Sequence, residues 1–88
     1  MRYDSIIWDV DEDPDGNVQH CEEHGVTKEE VEEVFQNAMD EDISESSGQP
    51  VVFGDTNAGS HLMVVYEQVD ADTVYPITAY DVPRRQRP

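Results

Sequence analysis

The feature that most constrains the fold is a helix signal near the middle of the chain. Thr27 is followed three residues later by Glu30, which is the spacing of a capping box, where each side chain bonds the other residue's backbone N–H. Apolar residues then recur at helical spacing: Val31, Val34, Phe35, Ala38 and Met39. The pattern predicts an amphipathic helix over Thr27–Met39 that packs one apolar stripe on a sheet.

The second half of the chain has the composition of β-strands. Three runs rich in β-branched and aromatic residues are separated by turn-forming residues: Val51–Phe53, Leu62–Tyr66 and Thr73–Tyr80. These runs predict a three-stranded antiparallel meander. Because Pro76 has no N–H to donate to a ladder, we expect it at an edge or a bulge of the last strand.

The first half predicts an opening strand and a short helix. Bulky apolar residues within Ser5–Trp8 indicate the strand. After the acidic stretch 9–16, we expect a helix from about Gly16 to Glu23, closed by Gly25. The stretch Asp40–Gly48 is polar, acidic and Ser-rich, which predicts a mobile loop. The fold class is therefore α+β, with two N-terminal helices packed on a small antiparallel sheet.

The length of the chain sets its domain organisation. A chain of 88 residues buries too little surface to divide its core between two units, so we expect one domain over residues 3–82. Residues 83–88 form a basic tail in this interpretation. Arg84, Arg85 and Arg87 are three of the four arginines in the chain.

The charge balance is the most unusual feature of the composition. There are 21 acidic residues against 5 Lys and Arg, which gives a formal net charge of −16. Nucleic-acid binding takes most of its affinity from cations that neutralise phosphates, so this charge disfavours RNA and DNA as ligands. Two interpretations stay open, an acidic surface that keeps the protein dispersed in water and a surface that binds a basic partner.

The sequence also indicates a reducing compartment. Cys21 is the one cysteine, so the chain has no internal disulfide and too few thiols for a cysteine-based zinc site. No apolar run approaches the roughly 20 residues that cross a bilayer, and the first residues do not have the pattern of a signal peptide. We expect a cytoplasmic protein with no membrane contact.

Several short motifs occur in one order along the chain. The N-terminal motifs are Trp8-Asp9, Asn17, His24-Gly25-Val26-Thr27 and the Glu-rich run Glu29–Phe35. The C-terminal motifs are Gly59–Tyr66 and Ile77-Thr78-Ala79-Tyr80. This order resembles the BrnT family of bacterial toxins, which has W-D, N, H-G-V-[ST], an E-rich helix, G-R-L-L-V-V-V-Y and I-[ST]-A-R. The resemblance covers residues 6 to 82.

The resemblance implies a fold, an activity and a partner. The fold would be the RelE-like toxin fold, here without the full C-terminal helix, because Pro83 follows the last predicted strand. The activity would be that of an endoribonuclease that needs no metal or other cofactor. The partner would be a basic, DNA-binding antitoxin that holds the activity off.

The expected catalytic positions depart from the family at two arginines. His61 stands before the Leu-Leu-Val strand, and Tyr80 stands at the arginine of I-[ST]-A-R. Cleavage of RNA requires cations that stabilise the extra negative charge of the transition state. His61 can transfer a proton near neutral pH and Tyr80 can donate one hydrogen bond, but neither is a fixed charge. We therefore expect RNA cleavage to be weakened or lost.

Two further residues of the motifs complete the candidate catalytic set. Trp8 offers a surface for stacking a base or a wall of the toxin site, but a core aromatic of the first strand is the commoner explanation of such a residue. Thr78 offers a hydroxyl, although a β-branched residue in a strand needs no functional reason. The candidate catalytic residues are thus Trp8, His61, Thr78 and Tyr80.

The acidic stretch matches a calcium-binding pattern. The EF-hand loop D-x-[DN]-x-[DN]-G-x5-E is matched by Asp11, Asp13, Asp15, Gly16 and Glu22. The helix that should leave such a loop would meet Gly25 and the Thr27 capping box within about a turn. In a chain so rich in carboxylates, calcium binding through this stretch is an alternative rather than the main interpretation.

His20 and His24 have the i, i+4 spacing that can chelate a transition metal, with Cys21 beside them. Three such groups do not close a structural site, and a helix terminus with an inward-facing cysteine explains them as well. We assign no metal there.

The sequence therefore supports three functional hypotheses. The first is a BrnT-like protein of a toxin–antitoxin pair, with its ribonuclease activity in doubt. The second is a non-catalytic acidic module that binds a protein partner. The third is a calcium-binding protein.

Overall fold

The residues that the computed structural model describes, 3–44 and 46–83, form two helices and five strands. The helices are α1 (Asn17–Glu23) and α2 (Lys28–Gln36). The strands are β1 (Ser5–Ile6), β2 (Ala38–Ile43), β3 (Pro50–Asp55), β4 (His61–Gln68) and β5 (Thr73–Asp81). The α+β class predicted from the sequence is confirmed.

The start of α2 follows the capping box. The Thr27 hydroxyl accepts a hydrogen bond from the Glu30 backbone N–H at 3.2 Å, and the Glu30 carboxylate accepts one from the Thr27 N–H at 3.0 Å. Two N–H groups that have no partner within the helix are satisfied in this way. The predicted start of the helix is confirmed, but α2 ends at Gln36, three residues earlier than predicted.

Residues 38–43 differ most clearly from the secondary structure predicted for them. The sequence predicts that they end the helix and begin a mobile loop, but they form β2, with Asp40 opposite Phe53 and Asp42 opposite Val51. Met39, assigned to the apolar stripe, is 65% exposed. Pairing with the buried strand β3 gives these residues backbone partners that outweigh the low β-propensity of Asp and Glu. The loop before β3 is correspondingly shorter than expected.

The sheet has the strand order β1-β5-β4-β3-β2. The meander therefore has four antiparallel strands rather than the three predicted, and β1 joins its far edge in parallel with β5. Pro76 follows its prediction, because β1 pairs only as far as Val74 and the register with β4 shifts between Val65 and Tyr66, beside Pro76.

One face of the sheet and both helices enclose the core. The buried cluster takes its members from both layers: Cys21, Val26, Val31, Val34, Phe35, Val52, Leu62, Val64, Tyr66, Val74 and Ala79. The predicted packing of Val31, Val34 and Phe35 on the sheet is confirmed. Gly54 lies where α2 approaches most closely, since a Cβ there would be 2.8 Å from the Val34 carbonyl oxygen.

The opposite face of the sheet, called the open face below, carries the alternate residues of the strands. Its apolar members are Val51, Phe53, Met63 and Val65. Its polar members include Asp40, Asp42, Asp55, His61 and Thr78, and the register opposite Met63 places Tyr80 on the same face. Both helices pack on the other face, so in the described part of the chain no helix covers the open face.

Candidate functional site

The candidate residue His61 begins β4 on the open face, opposite Asp55 at the end of β3. Its Nδ1 lies 2.8 Å from Asp55 Oδ1, and its ring stacks on Phe53 with 6.3 Å between the ring centroids. The side chain is 11% exposed. Asp55 fixes the orientation of the imidazole and leaves Nε2 as the nitrogen that could accept or donate a proton to a ligand.

The sequence motifs do not single out Asp55. It lies in a stretch that was interpreted as a turn, between the runs Val51–Phe53 and Leu62–Tyr66. The actual strands are longer and pair Asp55 with His61 across the hairpin. The pair could be inferred only from that register, which the sequence does not specify on its own.

Tyr80 contacts a different histidine. It lies opposite Met63 in the β4–β5 ladder, and its ring centroid is 5.4 Å from that of His24 at the end of α1. The structure therefore joins two segments of the BrnT-like motif order, H-G-V-[ST] and I-[ST]-A-x, through a ring contact. Among the described residues, the ring of His61 contacts Phe53 rather than Tyr80, its expected catalytic neighbour.

Thr78 is on the open face beside Val65. Its Oγ1 is buried and has no hydrogen-bond partner. A hydroxyl shielded in this way cannot reach a substrate without a rearrangement, so its position fits a sheet residue better than a site residue.

Trp8 lies on the helix-covered side of the sheet. Its Nε1 donates to Glu32 of α2 at 3.0 Å, and its ring packs against the core cluster. Trp8 and His61 are therefore on opposite sides of the sheet. The four candidate catalytic residues do not converge on one site.

A network that the sequence analysis did not single out surrounds Asn17. The Asn17 side chain is buried and accepts from the Asp9 N–H at 2.9 Å, while its Nδ2 donates to the carbonyl oxygens of Ile7 and Pro76. Asp9 in turn accepts from the Tyr75 hydroxyl at 2.5 Å and from the Asn17 N–H at 2.9 Å. The W-D and N motifs thus connect the exit of β1, the start of α1 and β5.

The hydrogen bonds of this network shift the pKa of Asp9 and the pKa of Tyr75. The Tyr75 hydroxyl and then the Asn17 N–H hold the pKa of Asp9 below its usual value. The hydrogen bond to Asp9, helped by burial, raises the pKa of Tyr75 to about 12. Both shifts favour the state in which a charged Asp9 accepts from a neutral Tyr75. These groups are engaged with each other, so we assign them to structure.

The acidic stretch does not form a calcium loop. Residues 17–22 of the EF-hand pattern belong to α1, Asp13 accepts from the Asp15 N–H, and Asp11 pairs with Lys28 at 3.0 Å. Across residues 3–44 and 46–83, no group of three His, Cys, Asp or Glu side chains is placed to hold a metal ion. The stretch does not have the geometry of an EF-hand loop, because α1 occupies half of the residues that would form the loop.

The His20, Cys21 and His24 set is divided among different surroundings. Cys21 is fully buried in the core, where burial raises the pKa of its thiol to about 11. His24 contacts Tyr80, and His20 is exposed. A neutral thiol facing the core is not a metal ligand, so Cys21 is a core residue.

Fixed positive charge is scarce around these residues. Lys28 is the one Lys or Arg within the described ranges, and it is bonded to Asp11. That bond raises the pKa of the Lys28 ammonium. Arg84, Arg85 and Arg87, the predicted basic tail, lie outside the described residues.

None of the helices in the described ranges has the length and apolar character required to span a bilayer. No protein-family model matches the chain, and comparison with curated proteins and with solved structures found no significant match.

Proposed function

We propose that this chain is a BrnT-like protein of a cytoplasmic toxin–antitoxin type pair that binds a basic protein partner and has little or no ribonuclease activity. The ordered motifs from Trp8 to Tyr80 support the family part of the proposal. The arrangement of two helices before an antiparallel meander is compatible with a RelE-like fold that does not have the full C-terminal helix.

We infer the loss of ribonuclease activity from the separation of the candidate catalytic residues in the structure. Trp8 donates to Glu32 on the helix-covered side, Tyr80 contacts His24, and Thr78 Oγ1 is shielded. Only His61 has a geometry suited to proton transfer, through its bond to Asp55. No Lys or Arg of the described residues lies beside His61, and one acid–base group alone provides little stabilisation of a phosphorane-like transition state.

The charge of the chain supports the partner part of the proposal. A net charge of −16 repels RNA and accelerates the association of a cationic protein. A small basic antitoxin is the partner that both the resemblance and the charge favour. Binding of this kind weakens as salt increases, because exposed charges are screened within about 8 Å at physiological ionic strength.

A second candidate function follows from one observation. The Asp55–His61 pair has the arrangement in which a carboxylate orients a histidine that acts as a general base. If RNA cleavage is retained, His61 is the residue that carries it. Asp55 is then a positioning residue.

The partner proposal predicts that a small basic protein is encoded beside this chain's gene, and that protein is used for the test. The two proteins are co-expressed, the complex is isolated by size exclusion, and its affinity is measured calorimetrically at about 0.05 M and about 0.3 M salt. We expect a complex of fixed stoichiometry that weakens with salt. An unrelated basic protein of similar size and charge is the control. Failure of the neighbour-encoded protein to bind better than this control would overturn the proposal.

A further inference from the structure

Strand β2 forms one edge of the sheet. In the strand order of the described residues it is bonded on one side only, to β3. The opposite edge is formed by the two residues of β1, and beyond them the Asn17 amide donates to the Pro76 carbonyl oxygen. β2 is six residues long and carries the exposed apolar side chains of Met39 and Ile43. It is therefore the edge that is better suited to pair with another strand.

The register shows which backbone groups of β2 face away from β3. The Ser44 N–H donates to the Gln49 carbonyl oxygen at 2.8 Å, so Ser44 directs its backbone groups across the hairpin. In an antiparallel ladder, successive residues direct their N–H and C=O groups alternately toward the partner strand and away from it. The pairing is regular from this point back to Asp40, so the N–H groups of Glu41 and Ile43 point away from the sheet.

Both of these outward N–H groups are bonded by side chains of their own strand. The Glu41 N–H donates to Asp40 Oδ1 at 3.0 Å, and the Ile43 N–H donates to Asp42 Oδ1 at 2.8 Å. Each carboxylate thus occupies the donor that an added strand would use. A strand that pairs with β2 has to replace two hydrogen bonds to charged acceptors, which are stronger than those between neutral groups.

We propose that Asp40 and Asp42 close the β2 edge to strand addition and thereby keep two copies of this chain from joining their sheets. A second copy is the strand donor that they exclude, because every copy presents the same edge and two such edges can pair about a twofold axis. The net charge of −16 also opposes this contact. Salt screens that repulsion, whereas the two short hydrogen bonds remain in place. The inference concerns the isolated chain and does not depend on the proposed toxin–antitoxin function.

A matched pair of variants separates the hydrogen bonds from the charge. D40A/D42A removes both acceptors, whereas D40N/D42N loses the same two charges but keeps side-chain oxygens that can accept from the next N–H. Sedimentation equilibrium at about 0.5 M salt, which screens the remaining charge, measures their association. We expect D40A/D42A to dimerise at least about tenfold more tightly than D40N/D42N or wild type, because the N–H groups that lose their acceptors gain partners in the dimer.

A third variant tests whether the dimer forms through β2. In D40A/D42A/I43P, proline removes the outward N–H of Ile43, and an edge strand tolerates proline where the N–H faces away from the sheet. We expect this protein to stay monomeric under the conditions in which D40A/D42A dimerises. In the D40A/D42A dimer, the amide protons of Glu41 and Ile43 should exchange with solvent at least about tenfold more slowly than in its monomer.

Folding of each variant is checked by circular dichroism. If D40A/D42A does not fold, D42A and D42N are compared in the same way, because they differ in the acceptor for the Ile43 N–H alone. The inference is overturned if the alanine variant stays monomeric, or if the asparagine variant or wild type dimerises equally tightly, which would leave no role for the hydrogen bonds. It is also overturned if I43P does not reduce dimerisation, which would assign the contact to another surface.

Discussion

The side-chain amide of Asn17 donates to the carbonyl oxygen of Pro76 at 2.8 Å, joining the first turn of α1 to a β5 residue 59 positions later. β1 pairs with β5 only as far as Val74, so at Pro76 there is no β1 residue to bond this carbonyl oxygen. The same side chain bonds Ile7 and Asp9, so one amide satisfies three backbone groups. The side chain of Asn17 thereby connects α1, the segment after β1, and β5 at the edge of the sheet.

Replacing Asn17 with alanine should strongly destabilise the fold. The change removes the partners of three backbone groups in a buried site, which costs about 2–4 kcal/mol of unfolding free energy. Urea denaturation followed by circular dichroism measures the loss. Asn57→Ala is the control, because Asn57 is exposed and its replacement should change stability by no more than about 0.5 kcal/mol. Equal effects of the two changes would contradict the role of Asn17.

The Asp9–Tyr75 hydrogen bond should make stability depend on pH in two windows. The lowered pKa of Asp9 means that its contribution is present above about pH 4 and is lost as the pH falls through the folded-state value. The raised pKa of Tyr75 means that its contribution is present below about pH 10 and is lost as the pH rises towards about 12.

Tyr75→Phe tests both windows. Wild type should exceed this variant in unfolding free energy between about pH 5 and pH 10, and the difference should shrink on either side. The measurement is urea denaturation of both proteins across this pH range. A difference that is constant with pH, or absent at pH 7, would show that the hydrogen bond does not contribute as described.

The capping box gives a third prediction. Thr27→Ala removes the oxygen that accepts from the Glu30 N–H and should cost about 1 kcal/mol of unfolding free energy. Thr27→Ser keeps the hydroxyl and should lower the unfolding free energy by only about 0.3 kcal/mol. Thermal denaturation of the three proteins compares them, and an equal loss in both variants would indicate packing of the Thr27 methyl group instead.

Gly54 gives a fourth prediction, from the close approach of α2 to β3. A Cβ at this position would lie 2.8 Å from the Val34 carbonyl oxygen and 3.1 Å from that of Asn37, and backbone atoms cannot rotate aside. Gly54→Ala should therefore lower the unfolding free energy by about 1–3 kcal/mol. A neutral result in urea denaturation would mean that α2 can move away from the sheet without cost.

The elements that the sequence predicts well are those with a local physical cause. The start of α2 depends on Thr27 and Glu30 alone, and its packing on spacing within one helix. The position of β2 depends on pairing with β3, so acidic residues such as Asp40 and Asp42 could not be assigned to a strand from composition. The polar composition of residues 40–43 predicts a loop for the same reason, because composition does not show that they pair with β3.

The sequence motifs single out individual residues, but they do not predict how these residues are arranged. The motifs drew attention to Trp8 and His61, whereas only the sheet shows that they lie on opposite sides. Asp55 and Tyr75 owe their importance to partners far along the chain or across a hairpin. Asn17 belongs to the N-terminal motifs, but its structural role depends on its hydrogen bond to Pro76.

We propose that this chain, whose motif order resembles that of the BrnT family, does not cut RNA efficiently. The most direct measurement compares cleavage of one RNA by wild type and by His61→Ala, at low and at physiological salt, with folding checked by circular dichroism. The account predicts that wild type cleaves no faster than His61→Ala, because fixed cations do not surround His61 in the described structure. Efficient cleavage by wild type, with a loss of about 100-fold or more in His61→Ala, would contradict it and assign catalysis to the Asp55–His61 pair.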